Sequence, residues 1–289
     1  MYRFGYISEK ALAKINLSLR ILGKASNNYH RLESIITFLP DIYDKVFIKK
    51  SQNLNIIITG KFAKSLRNKG GDTLVKKMIL MFREKYNISN NFDVIIKKDI
   101  PIGAGLGGGS ADAAAVARLI IKIYNLKIKK KELIKQLGSL GADIPACFFS
   151  YNQKIEGFGE KLYKLKVLNK RLWSVLIKPR INFETSEIFK KFSKPFSKKA
   201  SYKFNYENLI LDINTKDNDL QEAALKHSAI FKNFLKKIPE SQSISKPRMT
   251  GSGSTIFILF DNQRNAENYL YHFDKINRSV WKEISQVLL

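Results

Sequence analysis

Pro101-Ile102-Gly103-Ala104-Gly105-Leu106-Gly107-Gly108-Gly109-Ser110 lies between a β-branched run that ends near Ile96 and an alanine-rich stretch, Ala111 to Ala117. Its five glycines exclude regular structure over most of the segment. They also permit positive φ angles and close approach of the backbone to a ligand. The following pattern, Ser110 to Tyr124, predicts a helix whose alanines leave room for tight backbone packing. Successive N–H groups at such a helix start, aided by the helix dipole, form a cradle for phosphate. A Walker A loop fails, because the position that needs lysine holds Gly109. A dinucleotide fingerprint is formally present at Gly103, Gly105 and Gly108, but no βαβ unit with an acidic residue about 20 positions on follows. A purely structural glycine turn is the plain alternative.

Outward from this loop, the chain alternates strand and helix signals. Ala13, Ile15, Leu17, Leu19 and Ile21 alternate with Lys14, Asn16, Ser18 and Arg20. This predicts a half-buried strand over about 10–22, with Lys14 and Asn16 on its non-core face. A turn at Ala25-Ser26-Asn27-Asn28 precedes a helical pattern from Leu32 to Leu39, stopped by Pro40. Val46 to Ile48, Leu54 to Ile58 and Phe92 to Ile96 read as strands, and Thr73 to Tyr86 as a helix begun near Asp72. Helices follow over about 131–140 and from Asp143, with Pro145 in the first turn. The pattern lapses into polar and glycine residues at 150–160, a domain boundary. Beyond it come a strand (174–177), a helix (185–192), a polar Lys/Ser loop, a long helix (about 219–238), a strand (256–260) and a helix (265–273). No internal repeat is visible. The mixture predicts an α+β protein of two domains, residues 1–157 and 158–289.

Composition bounds the function. The 289 residues carry a formal charge of +26, with Lys+Arg 51 against Asp+Glu 25. Nucleic acid, an anionic membrane or a phosphorylated ligand are the first suspects for such an excess. The charge is spread, however. It peaks in residues 151–200 and falls to zero over 251–289, with no basic tail. A nucleic-acid binder concentrates charge on one stripe with interleaved aromatics or arginine; neither nucleic acid nor membrane is expected as a partner. Cys147 is the only cysteine, which excludes a disulfide scaffold and suits a reducing compartment. No apolar run reaches the ~18 residues of a membrane span. Met1-Tyr2-Arg3-Phe4 lacks a signal-peptide pattern, so a cytoplasmic protein is expected. His30, His227 and His272 are scattered and show no metal-ligand spacing, leaving metal ligands unassigned.

The run from Pro101 through Ser110 to Asp112-Ala113-Ala114 resembles the phosphate loop of the galactokinase, homoserine kinase, mevalonate kinase and phosphomevalonate kinase (GHMP) superfamily. Its triple-glycine form resembles the branch that phosphorylates 4-diphosphocytidyl-2-C-methyl-D-erythritol in the non-mevalonate isoprenoid pathway. Further segments resemble that branch in the same order: Ala13 to Leu17, Asn28 to Leu32, Leu140 to Pro145, Thr185 to Phe189 and Met249 to Ser254. The resemblance implies a two-domain GHMP-kinase-like α+β fold. Its N-terminal ATP-binding and catalytic domain would be like ribosomal protein S5 domain 2, and its C-terminal substrate domain a ferredoxin-like α/β sandwich.

The same resemblance implies residue roles. Asp143 is the catalytic base and Lys14 its cation or the group that polarises the substrate hydroxyl; an ordinary helix cap is the plain reading of Asp143. ATP, with Mg²⁺, is cradled by Pro101, Gly103, Ala104, Gly105, Leu106, Gly107, Gly108, Gly109, Ser110 and Ala111. Thr73, Leu74 and Lys98 lie near the adenine. Asn16 and Thr185 line the alcohol pocket, His30 reads the cytosine edge, and Tyr29 with Phe189 sandwiches the ring. Phe189 fits equally as a core residue of its helix. Gly251, Ser252 and Gly253 close over the substrate's phosphates. The sequence departs from the pattern at Thr185-Ser186, where Thr-Pro is frequent, and at Asp72-Thr73. Two other readings stand beside this one: another GHMP kinase, of homoserine or mevalonate type, and a basic RNA-binding protein, since the superfamily core is shared with some ribosomal domains. Either monomer or homodimer is compatible.

Overall fold

The computed structural model describes all residues except 1–4, 26–28, 68–71, 240 and 278. Residues 26–28 of the turn expected at 25–28, among them Asn28 of the resembling segment, and the first four residues therefore lie outside the described residues. The chain divides into two compact units, each discontinuous in sequence. Unit 1 comprises residues 1–13, 42–102 and 107–150; unit 2 comprises 14–41, 103–106 and 151–289.

Two long strands, β1 (Ile7–Lys24) and β2 (His30–Ser51), pair with each other and contribute residues to both units. Unit 1 adds β3 (Asn55–Thr59), α1 (Ala63–Arg67), α2 (Thr73–Lys85) and β4 (Asn91–Lys97). It is completed by α3 (Gly108–Tyr124), α4 (Lys130–Leu140) and α5 (Ile144–Phe149). Strand β4 pairs in parallel with β3 and antiparallel with Lys45–Ser51 of β2. Helix α2 starts where expected, because the Asp72 carboxylate accepts from Val75 N at 3.0 Å. It buries Val75, Met78, Ile79 and Phe82. Ala113, Ala114, Ala115 and Ala117 of α3 are fully buried, and these small side chains let α2 and α5 pack closely against it.

Unit 2 contains the hairpin β5 (Gln153–Gly157) and β6 (Lys161–Lys164), with β5 paired to Leu32–Ile36 of β2. It continues with β7 (Arg171–Lys178), α6 (Thr185–Lys190), α7 (Tyr206–Thr215), α8 (Asp219–His227) and α9 (Ala229–Lys236). Last come β8 (Arg248–Met249), β9 (Ile256–Phe260), α10 (Gln263–Ile276) and β10 (Trp281–Leu288). The antiparallel sheet runs β10-β7-β9-β8. With helices between its first and second and its third and fourth strands, this is the β-α-β-β-α-β arrangement expected of the C-terminal half. Its core gathers Val175, Ile177, Phe231, Ile256, Phe260 and Phe273.

Four expectations are corrected. Residues 32–39 are strand, not helix: β2 runs through them, and Pro40 falls between its β5 ladder, which ends at Ile36, and its β4 ladder, which begins at Lys45. A proline outside both ladders removes no hydrogen bond from either. The polar face of β1 is not solvated: Lys14, Asn16, Ser18 and Arg20 are all buried, satisfied by partners such as Ser34 for Asn16 and Glu33 and Asp212 for Arg20. The polar stretch at 150–160 holds β5, although the chain does pass from unit 1 to unit 2 after Ser150. The long helix is two helices, broken at Ser228, which is extended and caps α9 by accepting from Phe231 N at 3.1 Å. Elements α1, α7, β6, β8 and β10 were not anticipated. Among the described residues no helix is long and apolar enough to cross a membrane.

Lys178 closes β7 by donating to the carbonyls of Pro179 and Ile181 and to Asn182 Oδ1, at 3.2, 2.9 and 3.0 Å. Burial lowers its pKa from 10.5 to about 8. The native state then binds fewer protons than the unfolded chain between these values, so this group's contribution to stability rises with pH across that window. Below about pH 8 the cost of burying the charge is carried in full. Unfolding measured at pH 7.5 and pH 10 should show wild type gaining stability relative to Lys178→Met; a pH-independent difference would refute the assignment.

Candidate active site

The glycine segment is held at several points. In unit 1, β4 leads to Lys98, whose backbone N–H donates to Thr59 O at 2.7 Å. Asp44 of β2 then accepts from Asp99 N and Ile100 N at 2.6 and 2.7 Å, just before Pro101. Gly107 takes a left-handed φ of 69° and precedes α3, which starts at Gly108, two residues earlier than the sequence suggested. Ser110 and Ala111 thus lie in its first turn, with Ala111 N donating to Gly107 O at 2.8 Å. Leu74 of α2 lies beside this turn, its Cδ1 3.8 Å from where a Gly109 Cβ would be. Thr73, next to it, is exposed. Lys98 is buried, its ammonium paired with Asp44 and Asp112. Burial would discharge it, but the two carboxylates outweigh burial and hold its pKa above the ordinary value.

Residues 103–106 belong to unit 2 and are built into a second loop there. Lys14 N donates to Leu106 O at 3.0 Å, and Thr255 N to Ala104 O at 3.2 Å. Gly105 has a φ of 73°; a Cβ there would strike the Thr250 carbonyl and come within 2.9 Å of Gly253 O. Beside them, Lys14 Nζ donates to Asn16 Oδ1 at 2.6 Å, Asn16 Nδ2 to Ser34 Oγ at 2.8 Å, and Asn16 N to Thr250 Oγ1 at 2.8 Å. A Cβ on Gly251 would lie 3.3 Å from both Lys14 Nζ and Asn16 Oδ1. Ser252 Oγ is 3.0 Å from Thr185 Oγ1, which joins the 251–253 loop to the start of α6. Lys14, Asn16, Thr185 and Gly251–Gly253 are therefore one cluster.

The aromatic group is assembled differently. His30, at the start of β2, faces Phe189 of α6, with ring centroids 5.3 Å apart and planes tilted by 31°. Phe192 meets the His30 ring edge-on at 5.8 Å. Tyr29, 66% exposed, packs edge-on against Phe158 at 6.4 Å, so His30 rather than Tyr29 is the ring opposed to Phe189. Burial, then the charge of Lys24, lowers the His30 pKa. A neutral imidazole presents one donor and one acceptor, which suits reading a nucleobase edge.

Residues 73–151 match the model of the GHMP kinases N-terminal domain. The chain is 35% identical over 273 residues to the 4-diphosphocytidyl-2-C-methyl-D-erythritol kinase of Clostridium tetani, covering 90% of this chain and 92% of that one. The chain belongs to the 4-diphosphocytidyl-2-C-methyl-D-erythritol kinase family. A member from Parvibaculum lavamentivorans is 29% identical and covered over 98% of its length. The crystal structure of a 4-(cytidine 5'-diphospho)-2C-methyl-D-erythritol kinase superposes with a TM-score of 0.78 at 21% identity, covering 98% of this chain and all of that one. Homoserine kinase from Cytophaga hutchinsonii gives 0.70 at 18% identity, covering 100% of this chain and 96% of that one. The α+β GHMP-kinase fold expected from the sequence is the fold found.

In this member of the cytidyl-methylerythritol kinase family, Asp143 sits at the N-cap position of α5 but makes no side-chain cap hydrogen bond. The ordinary capping role, its plain sequence reading, is therefore not what its carboxylate performs. Sequence reasoning missed Thr250, Asn218 and Asp219. Asn218 Nδ2 donates to Met249 O and Gly251 O at 2.9 and 2.8 Å, and Asp219 Oδ2 accepts from Ile21 N at 2.6 Å. The adjacent Asn-Asp pair at a helix start was visible, but the reach of Asn218 to a loop some thirty residues on and of Asp219 back to β1 was not. Gly105→Ala should cost about 2 kcal/mol or more through strain and overlap. Gly109→Ala should change stability by less than about 1 kcal/mol, because its position is helical and an added Cβ meets only Leu74 Cδ1, at ordinary contact distance. Denaturant unfolding of both variants checks the contrast, and equal losses would refute it.

Proposed function

We propose that this protein transfers the γ-phosphoryl group of ATP to the 2-hydroxyl of 4-diphosphocytidyl-2-C-methyl-D-erythritol, a step toward isoprenoid precursors in the non-mevalonate pathway. Similarity along nearly the whole length of relatives that bear that name carries the reading. Phosphoryl transfer asks the protein chiefly to position an alcohol and neutralise charge. The N–H groups at the start of α3 and along Pro101 to Ala111 take the ATP phosphates, with Thr73 and Leu74 toward the adenine. Lys14, Asn16, Thr185 and the 251–253 loop hold the acceptor, and His30 with Phe189 and Tyr29 holds its cytosine. Asp143 receives the hydroxyl proton, and Lys14 supplies the compensating cation. In functional terms residues 1–157 supply ATP binding and catalysis, and 158–289 most of the substrate side.

Mg²⁺ belongs to the proposal as the companion of ATP. No group of three or more His, Cys, Asp or Glu among the described residues could cage a metal. Mg²⁺ carried with nucleotide phosphates keeps several waters and needs only one or two protein oxygens, and the Ser110 hydroxyl lies in the first turn of α3 to offer one. Bound there, it would neutralise charge on the phosphates. A cytoplasmic location is part of the same reading and accords with the one buried, free cysteine, Cys147.

Steady-state kinetics test the assignment. Asp143→Ala should lower kcat by about 10²–10⁴-fold while ATP binding and folding persist. His30→Ala and Phe189→Ala should raise KM for the cytidyl substrate about 10-fold or more and leave KM for ATP unchanged. Wild-type turnover in Asp143→Ala would remove that residue from the mechanism. Equal effects of the ring variants on both substrates would remove the base slot.

A further inference from the structure

Lys98, Asp44 and Asp112 form an ion triad sealed inside unit 1, with relative exposures of 2%, 0% and 0%. The Lys98 ammonium donates to Asp44 Oδ2 and, at 2.5 Å, to Asp112 Oδ2. The three groups come from different elements: Asp44 from β2, Lys98 from just past the end of β4, and Asp112 from the fifth position of α3. Asp44 uses its other oxygen to accept from Asp99 N and Ile100 N. The triad thus grips the backbone that enters the glycine segment and the helix that leaves it. Lys98 Nζ lies 3.1 Å from where a Gly108 Cβ would be, so the ammonium lies directly beside the first residue of α3.

Two carboxylates surround one ammonium, and Asp112 Oδ1 has no hydrogen-bond partner. Nearby Asp72 also leaves one buried oxygen without a partner. Such a cluster is expensive to bury and weakly justified by stability alone, since apolar side chains of similar volume often serve as well. Its geometry is better explained by what it holds. We propose that the Asp44–Lys98–Asp112 triad is a positioning device that fixes both ends of the glycine segment, so that Lys98 governs ATP affinity by holding the cradle and not by touching the nucleotide. This rests on the reading that the segment binds ATP.

The two roles of Lys98 separate in a double-mutant cycle. Removing the ammonium leaves two buried carboxylates facing each other, which displaces the start of α3. Removing one of those charges as well relieves the displacement, but it cannot restore a lost contact with ATP. Titration calorimetry with Mg-ATP, alongside steady-state kinetics, should show Lys98→Met binding ATP about 10-fold or more weakly, with KM for the cytidyl substrate within about twofold of wild type. Lys98→Met/Asp112→Asn should return ATP affinity to within about threefold of wild type. If Lys98→Met is insoluble, Lys98→Gln with and without Asp112→Asn makes the same comparison. A double variant as weak as the single, or a single variant that binds like wild type, overturns the proposal while leaving ATP binding by the segment intact. Failure of the wild-type protein to bind ATP would overturn the underlying reading, and the proposal with it.

Discussion

A glycine-rich segment can cradle phosphate only if its surroundings remove the freedom that glycine brings. Each glycine without a constraint carries more backbone entropy than any other residue and offers no fixed array of N–H groups. Here the constraint is supplied by backbone and buried charge. Within unit 1, Asp44 holds the peptides before Pro101, and Asp112 ties α3 to the same ammonium. Within unit 2, Ala104 and Leu106 are held by Thr255 and Lys14, and Gly105 is packed against the Thr250 carbonyl. The rest of the site follows from this arrangement, because Lys14 and Thr250 are also the neighbours of Asn16.

Much of the fold was legible where local rules act alone. The β1 alternation, the Asp72 cap of α2 and the alanine face of α3 each announce their element within a few residues. Residues 32–39 were misread because the Ile-Ile-Thr-Phe-Leu run before a proline fits a terminating helix by spacing, while what makes it a strand is pairing with β1 before it and with β5 over a hundred residues on. Ser228 breaks α8 from α9 without interrupting the apolar periodicity, so one helix was expected where two exist. The polar face of β1 looked solvated because alternation shows that two faces differ, not that both are covered.

The site was legible in a similar, partial way. Its loops and the Lys14–Asn16 spacing stand out in sequence, whereas the partners that fix them are ordinary residues brought in by tertiary contact. Asn218 and Asp219 have no local signature of function, and Thr250 lies in the resembling Met249 to Ser254 segment without a role assigned to it. Lys98 had one only by resemblance, and the structure surrounds it with carboxylates rather than leaving it open to a nucleotide. The charge of +26 is likewise only partly absorbed. Lys14, Lys98 and Lys178 are buried and bonded, and a positive field raises encounter rates with polyphosphates. Several surface lysines pair with carboxylates, among them Lys154 and Lys199 with Glu156 and Lys194 and Lys226 with Glu222.

The identity of the acceptor alcohol is the claim on which the rest turns. The most direct measurement is ³¹P NMR of wild-type reactions containing Mg-ATP and one alcohol at a time: 4-diphosphocytidyl-2-C-methyl-D-erythritol, homoserine or mevalonate. The expected result is ADP formation with the cytidyl compound alone, together with a new phosphomonoester resonance from its 2-hydroxyl. No phosphomonoester from that compound, or faster turnover of either of the others, would contradict the account.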